Sequence, residues 1–89
     1  MPRKHVLVKG DVQGIGYRWF VRETAQRLRV AGWVRNLPDG DVEVDAQAGE
    51  EILARFLAEL RTGHTWARVD ALTVRDLPEE HGAAGFAIR

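Results

Sequence analysis

Apolar and polar residues alternate in several short stretches of the chain, and this alternation predicts β-strands. Val6 and Val8 alternate with Leu7 and Lys9 near the start, before Gly10 interrupts the pattern. Residues 32–49 predict a β-hairpin, because the central Leu-Pro-Asp-Gly combines an Asp-Gly turn signal with a proline that central strands exclude. The second arm predicts one buried and one wet face, with Val42, Val44, Ala46 and Ala48 alternating with Glu43, Asp45 and Gln47.

Two later stretches also predict strands. The first runs from Val69 to Val74. The pattern does not specify which of its faces points inward, because Val69 and Ala71 lie on the side opposite Leu72 and Val74. A β-bulge within this strand would reconcile the two pairs. The second stretch, Phe86-Ala87-Ile88-Arg89, predicts a short terminal strand at a sheet edge.

Two stretches between these strands have the period of an amphipathic helix. In each, apolar residues occur at i, i+1, i+4, i+5 and i+8, which places them on one face. The first helix is predicted from about Arg18 to Val30, and Gly63 is predicted to end the second. The apolar faces consist of Phe20, Val21, Thr24, Ala25 and Leu28, and of Ile52, Leu53, Phe56, Leu57 and Leu60.

The predicted order is strand, helix, strand, strand, helix, strand, which is the ferredoxin-like split βαβ (βαββαβ) arrangement of the α+β class. Right-handed crossovers place both helices on one face of an antiparallel sheet. This architecture hosts RNA-binding proteins, metal carriers, regulatory modules and enzymes, so the fold alone does not determine the function.

Composition limits the domain count and the partners. A chain of 89 residues predicts one domain over residues 1–89. Its 13 basic residues balance its 13 acidic residues, so no net field attracts nucleic acid or an anionic membrane. The absence of cysteine excludes disulfides and thiolate metal sites. With no signal peptide and no long apolar run, we expect a cytoplasmic protein with neither a nucleic-acid nor a membrane partner.

Several chemistries of this architecture lack their residues here. RNA-binding members stack bases on aromatic residues of the central strands, whereas HVLVKG and DVEVDAQA contain no Phe, Tyr or Trp. Metal carriers need paired cysteines in the first loop. The three histidines, His5, His64 and His81, are too scattered to have ligand spacing, so we assign them no chemistry. The glycines match neither the dinucleotide-binding nor the P-loop pattern.

The stretch GDVQGIGYR, residues 10–18, places three glycines and Arg18 where a predicted strand passes into a predicted helix. Glycine permits a curled backbone whose N–H groups point at one centre, and the helix dipole adds positive potential there. The planar guanidinium of Arg18 can bind two phosphate oxygens at once. The stretch therefore predicts a phosphate site; the alternative is a glycine-rich connection beside a solvated arginine.

The same stretch is similar to the first signature of the acylphosphatase family, roughly G-x-V-Q-G-V-x-[FY]-R. GWVRNLPDGDVEV, residues 32–44, resembles the second signature, including its G-W-V-x-N core. The likeness continues through FLAEL at residues 56–60, Gly63, Ala67 and Val69, and ends with GFAIR at residues 85–89. It thus covers nearly the whole chain.

The resemblance implies an enzyme that hydrolyses the carboxyl–phosphate bond of small acyl phosphates without a metal or an organic cofactor, and we expect a monomer. It implies two catalytic residues, Arg18 to bind the phosphate and Asn36 to orient the attacking water. It also implies that residues 14–17 supply backbone donors and that Gln13 shapes the loop. The implied phosphate-binding loop comprises Gln13, Gly14, Ile15, Gly16, Tyr17 and Arg18.

An alternative from another class is a non-catalytic regulatory module that binds a metabolite or a partner chain. The water-orienting Asn36 favours the enzyme, since a phosphate-binding module needs only the arginine. Two positions depart from the family pattern. Arg29 stands where many members have glycine after the first helix, so either a residue with a Cβ occupies a left-handed cap or the helix ends differently. His64 stands where proline usually follows Gly63.

Overall fold

The computed structural model describes residues 1–89 and contains five strands and two helices in the predicted order. The first predicted helix is confirmed with slightly earlier bounds, and Gly63 ends the second helix as expected. The elements are β1 (Arg3–Asp11), α1 (Tyr17–Leu28), β2 (Ala31–Asn36), β3 (Val42–Gln47), α2 (Glu50–Thr62), β4 (Arg68–Leu77) and β5 (Phe86–Ile88).

All five strands form one sheet in the order β4-β1-β3-β2-β5. The ferredoxin-like arrangement is confirmed. The first four strands pair antiparallel as predicted, β4 with β1, β1 with β3 and β3 with β2. The short terminal strand lies at an edge, but it pairs parallel with β2, so the whole sheet is mixed. The physical reason is the connection: β4 ends at the end of the sheet where β2 begins, and a strand that leaves from there runs in the direction of β2.

The predicted bulge is present in β4. Lys9 pairs with Ala71, whereas Gly10 pairs with Val69, so Asp70 is the extra residue. The shift allows Val69 and Leu72, three residues apart, both to pack against the core.

The core lies between one face of the sheet and both helices. Its strand residues include Val6, Val8, Val34, Val42 and Val44, and its helix residues include Val21, Ala25, Leu53, Phe56 and Leu60. Neither helix has the length and apolar character needed to cross a lipid bilayer.

The outer face of β3 is less exposed than its alternating pattern predicts. Asp45 and Gln47 are only 5% and 7% exposed, so the prediction of a wet face is wrong at these two positions. The Arg3 guanidinium donates to Asp45 at 2.7 Å, and the Gln47 amide exchanges two hydrogen bonds with the Glu80 backbone. Both partners are distant in sequence, and they cover this end of the strand.

Of the two outcomes expected at Arg29, the structure shows the left-handed cap at the end of α1. Arg29 has φ 60° and ψ 44°. The Val30 N–H donates to Ala25 O, and the Arg29 N–H donates to Gln26 O, which together form a Schellman motif. This motif directs the chain from α1 into β2.

Candidate active site

The glycine-rich connection between β1 and α1 presents an open row of backbone donors. Gly14 and Gly16 have left-handed φ values of 78° and 77°, and this alternation turns successive N–H groups toward one side. The N–H groups of residues 14–19 donate to no acceptor in the protein, and Phe20 is the first with a helical partner, Gly16 O at 3.0 Å. No acidic residue occupies the first turn of α1. The connection therefore offers an anion both free donors and a positive helix terminus.

Gln13 holds this connection against the β2–β3 turn. Its Nε2 donates to two backbone oxygens, Leu37 O and Asp41 O, both at 2.8 Å. Because Leu37 directly follows Asn36 in the chain, these bonds fix the loop relative to the end of β2. The side chain of Gln13 acts as a tie between two connections.

Tyr17, the first residue of α1, is buried and contributes its backbone rather than its side chain to the loop. Its hydroxyl donates to Leu60 O at 2.6 Å inside the core. Burial raises the pKa of the Tyr17 hydroxyl well above its ordinary value, so it remains a donor.

Arg18 extends from the first turn of α1 without an Asp or Glu partner. None of the ion pairs in the structure includes it. Its one hydrogen bond is long, 3.5 Å from Nη1 to the backbone oxygen of Arg89. Most of the donors of this guanidinium are therefore available to a ligand.

Asn36 is the last residue of β2 and pairs with Val42. It lies two residues beyond the buried Val34, so its side chain is on the helix-facing side of the sheet. Its Oδ1 is buried and accepts no hydrogen bond from the protein. A buried unpartnered acceptor is costly, which makes it a candidate to accept a hydrogen bond from a ligand or water.

These groups meet at one cavity of about 150 Å³. Of the predicted site residues, Gly14, Gly16, Tyr17, Arg18 and Asn36 line it, so the structure brings the two predicted catalytic side chains together. Gln13 and Ile15 lie outside the lining; Ile15 packs partly against the core instead. Three further lining residues were not assigned from the sequence, namely Val12, Trp19 and Ile88.

Little in the sequence indicated that Trp19 and Ile88 line the cavity. Trp19 directly follows Arg18, so a first-turn position beside the loop was its only signal. Ile88 reaches the site because β5 pairs parallel with β2 and aligns Ile88 with Val34, a pairing that local pattern does not specify.

The rest of the surface holds no metal-binding cluster, and its larger groove lacks the two predicted catalytic residues. No group of three or more His, Asp or Glu residues is placed to hold a metal ion. A larger groove of about 510 Å³ lies beside Trp33 and residues 82–87. It includes neither Arg18 nor Asn36, so the two predicted catalytic residues belong to the smaller cavity alone.

Comparison with known proteins identifies the family of this chain. The family model described as Acylphosphatase matches residues 4–88. The acylphosphatase of Thermus thermophilus is 48% identical over 88 residues, which cover 99% of each chain. That of Bifidobacterium longum is 41% identical over 90 residues, covering 100% of this chain and 93% of the other.

A solved structure is similar over the same length. The crystal structure of the acylphosphatase from Bacillus subtilis has a TM-score of 0.94 and 34% identity, covering 100% of this chain and 99% of that one. The family model, the relatives and the superposed fold all extend over essentially the entire sequence. The chain therefore belongs to the acylphosphatase family.

Proposed function

We propose that this protein hydrolyses small acyl phosphates to a carboxylate and inorganic phosphate by direct attack of water on phosphorus. Its membership of the acylphosphatase family makes it an acyl phosphate hydrolase. The observation that supports the mechanism is that Asn36 lines one cavity together with loop and helix residues whose N–H groups are free, namely Gly14, Gly16, Tyr17, Arg18 and Trp19.

The phosphoryl group is held by the loop and Arg18. Backbone N–H groups of the loop donate to its oxygens, and the guanidinium binds two of them with its planar fork. A loose phosphoryl transition state spreads charge over three equatorial oxygens, so donors fixed around it lower the barrier. Gln13 keeps the loop in register with Asn36 through Leu37 O and Asp41 O.

Asn36 orients the attacking water. Its buried Oδ1, which has no partner in the protein, accepts a hydrogen bond from the water and directs a lone pair toward phosphorus. The new oxygen–phosphorus bond forms as the bond from phosphorus to the carboxyl oxygen breaks. The carboxylate leaves with the electron pair, and the water proton passes to a phosphate oxygen of the substrate.

This chemistry requires few groups because a carboxylate leaves without protonation, so no general acid is needed. We accordingly propose that residues 1–89 act as one cofactor-free and metal-independent domain.

We also propose that the protein is a cytoplasmic monomer without a nucleic-acid partner. Similarity to acylphosphatases over the full length does not favour the alternative of a non-catalytic regulatory module.

A hydrolysis assay in ¹⁸O-labelled water tests this mechanism. With benzoyl phosphate as substrate, we expect turnover with the label in inorganic phosphate and none in benzoate. A parallel reaction with a chelator should proceed at the same rate. Label in benzoate would show attack at the carbonyl carbon, and loss of activity with the chelator would contradict metal independence.

A further inference from the structure

We propose that Trp19 contacts the acyl group of the substrate and makes the enzyme favour aromatic acyl phosphates over acetyl phosphate. This inference rests on the proposed function, because it concerns the part of the same substrate that the phosphate loop does not hold. It assigns a specificity role to a side chain that the mechanism above does not use.

The size of the cavity requires the acyl substituent to lie outside it. Its volume of about 150 Å³ is about that of a cavity that holds one benzene-sized molecule. The phosphoryl group, the attacking water and the carboxyl group of the substrate fill that space. Any larger substituent therefore projects from the mouth and rests on whatever side chain is there.

Trp19 is the exposed side chain at this mouth. It is 58% exposed, whereas the other lining side chains, of Val12, Tyr17, Arg18, Asn36 and Ile88, are buried or half-buried. It is also adjacent to Arg18 in the first turn of α1, so the indole and the guanidinium that binds the phosphate extend from the same helix.

Arg22 holds the indole in place. Its guanidinium lies 4.0 Å from the ring centroid of Trp19, and one helical turn separates Arg22 from Arg18. The Nε of Arg22 is buried without a hydrogen-bond partner, so the stack on the ring is the visible interaction of this group. Arg22 covers one face of the indole, which leaves the rest of the ring available to a planar acyl group.

The kinetic consequence follows from where the contact is made. The acyl substituent does not gain charge as the phosphorus–oxygen bond breaks, so Trp19 stabilises the bound substrate and the transition state equally. Uniform binding of this kind lowers KM and leaves kcat unchanged. Acetyl phosphate, whose methyl group reaches little beyond the cavity, gains almost nothing from the indole.

The test compares Trp19→Ala with the wild type on two substrates, benzoyl phosphate and acetyl phosphate. We expect KM for benzoyl phosphate to rise about 5- to 30-fold with kcat unchanged, and both constants for acetyl phosphate to stay within about 2-fold. Trp19→Phe should retain most of the preference. Calorimetry with benzoylphosphonate and acetylphosphonate should show the same selective loss in affinity.

Trp66→Ala is the matched control, because Trp66 is 76% exposed and does not line the cavity. It should change KM and kcat for neither substrate. Equal effects of Trp19→Ala on both substrates, or no effect on benzoyl phosphate, would overturn the inference while leaving the proposed function intact. Failure of the wild type to hydrolyse either substrate would instead refute the proposed function, and phosphonate binding would then still test the contact with Trp19.

Discussion

The Tyr17 hydroxyl donates a 2.6 Å hydrogen bond to the backbone carbonyl of Leu60. Leu60 lies in the last turn of α2, which ends at Thr62, where carbonyl groups have no helical partner. The first residue of α1 therefore satisfies the end of α2. The bond anchors the start of α1, and with it the phosphate loop, to the opposite helix.

Tyr17→Phe tests this anchor. We expect the free energy of unfolding to fall by about 1 to 2 kcal/mol, because the buried Leu60 carbonyl loses its only side-chain donor. We expect kcat to stay within about 2-fold, because the loop uses the N–H of Tyr17 and not its hydroxyl. Urea unfolding and the benzoyl phosphate assay measure the two effects. A 100-fold loss of kcat in a folded variant would assign the hydroxyl a direct role.

Arg18→Gln removes the guanidinium that the mechanism requires. We expect the rate to fall on the order of 10³- to 10⁵-fold, by comparison with other arginines that stabilise a phosphoryl transition state. Arg18→Lys should not restore it, because an ammonium cannot bind two oxygens as a planar fork does. Arg75→Gln is the control, since Arg75 is an exposed β4 residue remote from the cavity. A folded Arg18→Gln enzyme with nearly full activity would refute the mechanism.

Asn36→Ala removes the group that orients the water. We expect kcat to fall about 10²- to 10³-fold, the usual cost of one oriented hydrogen-bonding group, while the affinity for inorganic phosphate remains similar. The buried Oδ1 has no protein partner, so its removal should cost little stability. Kinetics, phosphate titration and urea unfolding on one sample separate these effects. Loss of phosphate affinity with kcat unchanged would place Asn36 in phosphate binding instead.

Arg29→Gly relieves the left-handed cap at the end of α1. A left-handed conformation costs a residue with a Cβ about 1 to 2 kcal/mol, and the greater freedom of glycine in the unfolded chain offsets part of that gain. We expect a net stabilisation of about 0.5 to 1 kcal/mol with activity unchanged. Thermal unfolding measures it. A lower melting temperature would mean that the Arg29 side chain makes a stabilising contact.

Glu43→Gln tests an ion-pair network on the outer sheet face. Burial opposes ionisation of Glu43, but hydrogen bonds from His5 and Arg35 outweigh it and hold its pKa below the usual 4.5. A lowered pKa contributes stability above the unfolded pKa, and that stability is lost as pH falls through the folded pKa. We expect Glu43→Gln to cost about 1 to 2 kcal/mol at pH 7, and the difference from wild type to shrink below about pH 4.5. A cost that is constant from pH 7 to pH 3 would contradict this.

Much of the candidate site was predictable because its parts are adjacent in sequence. Glycines 14 and 16 and Arg18 lie within five residues, so the loop, the helix terminus and the guanidinium follow from local chemistry. Asn36 was placed in the site only through the family resemblance. Its spacing from Arg18 says nothing of a shared cavity, which depends on β2 lying beside α1 in the fold.

The sequence by itself determined the order of strands and helices and the turn at residues 37–40, because periodicity and backbone preference act over a few neighbouring residues. Only the tertiary structure decided that β5 runs parallel to β2, that Asp45 and Gln47 are buried, and that Trp19 and Ile88 line the cavity. Those features depend on contacts between residues far apart in the chain, and local pattern does not encode which distant segment covers a given face.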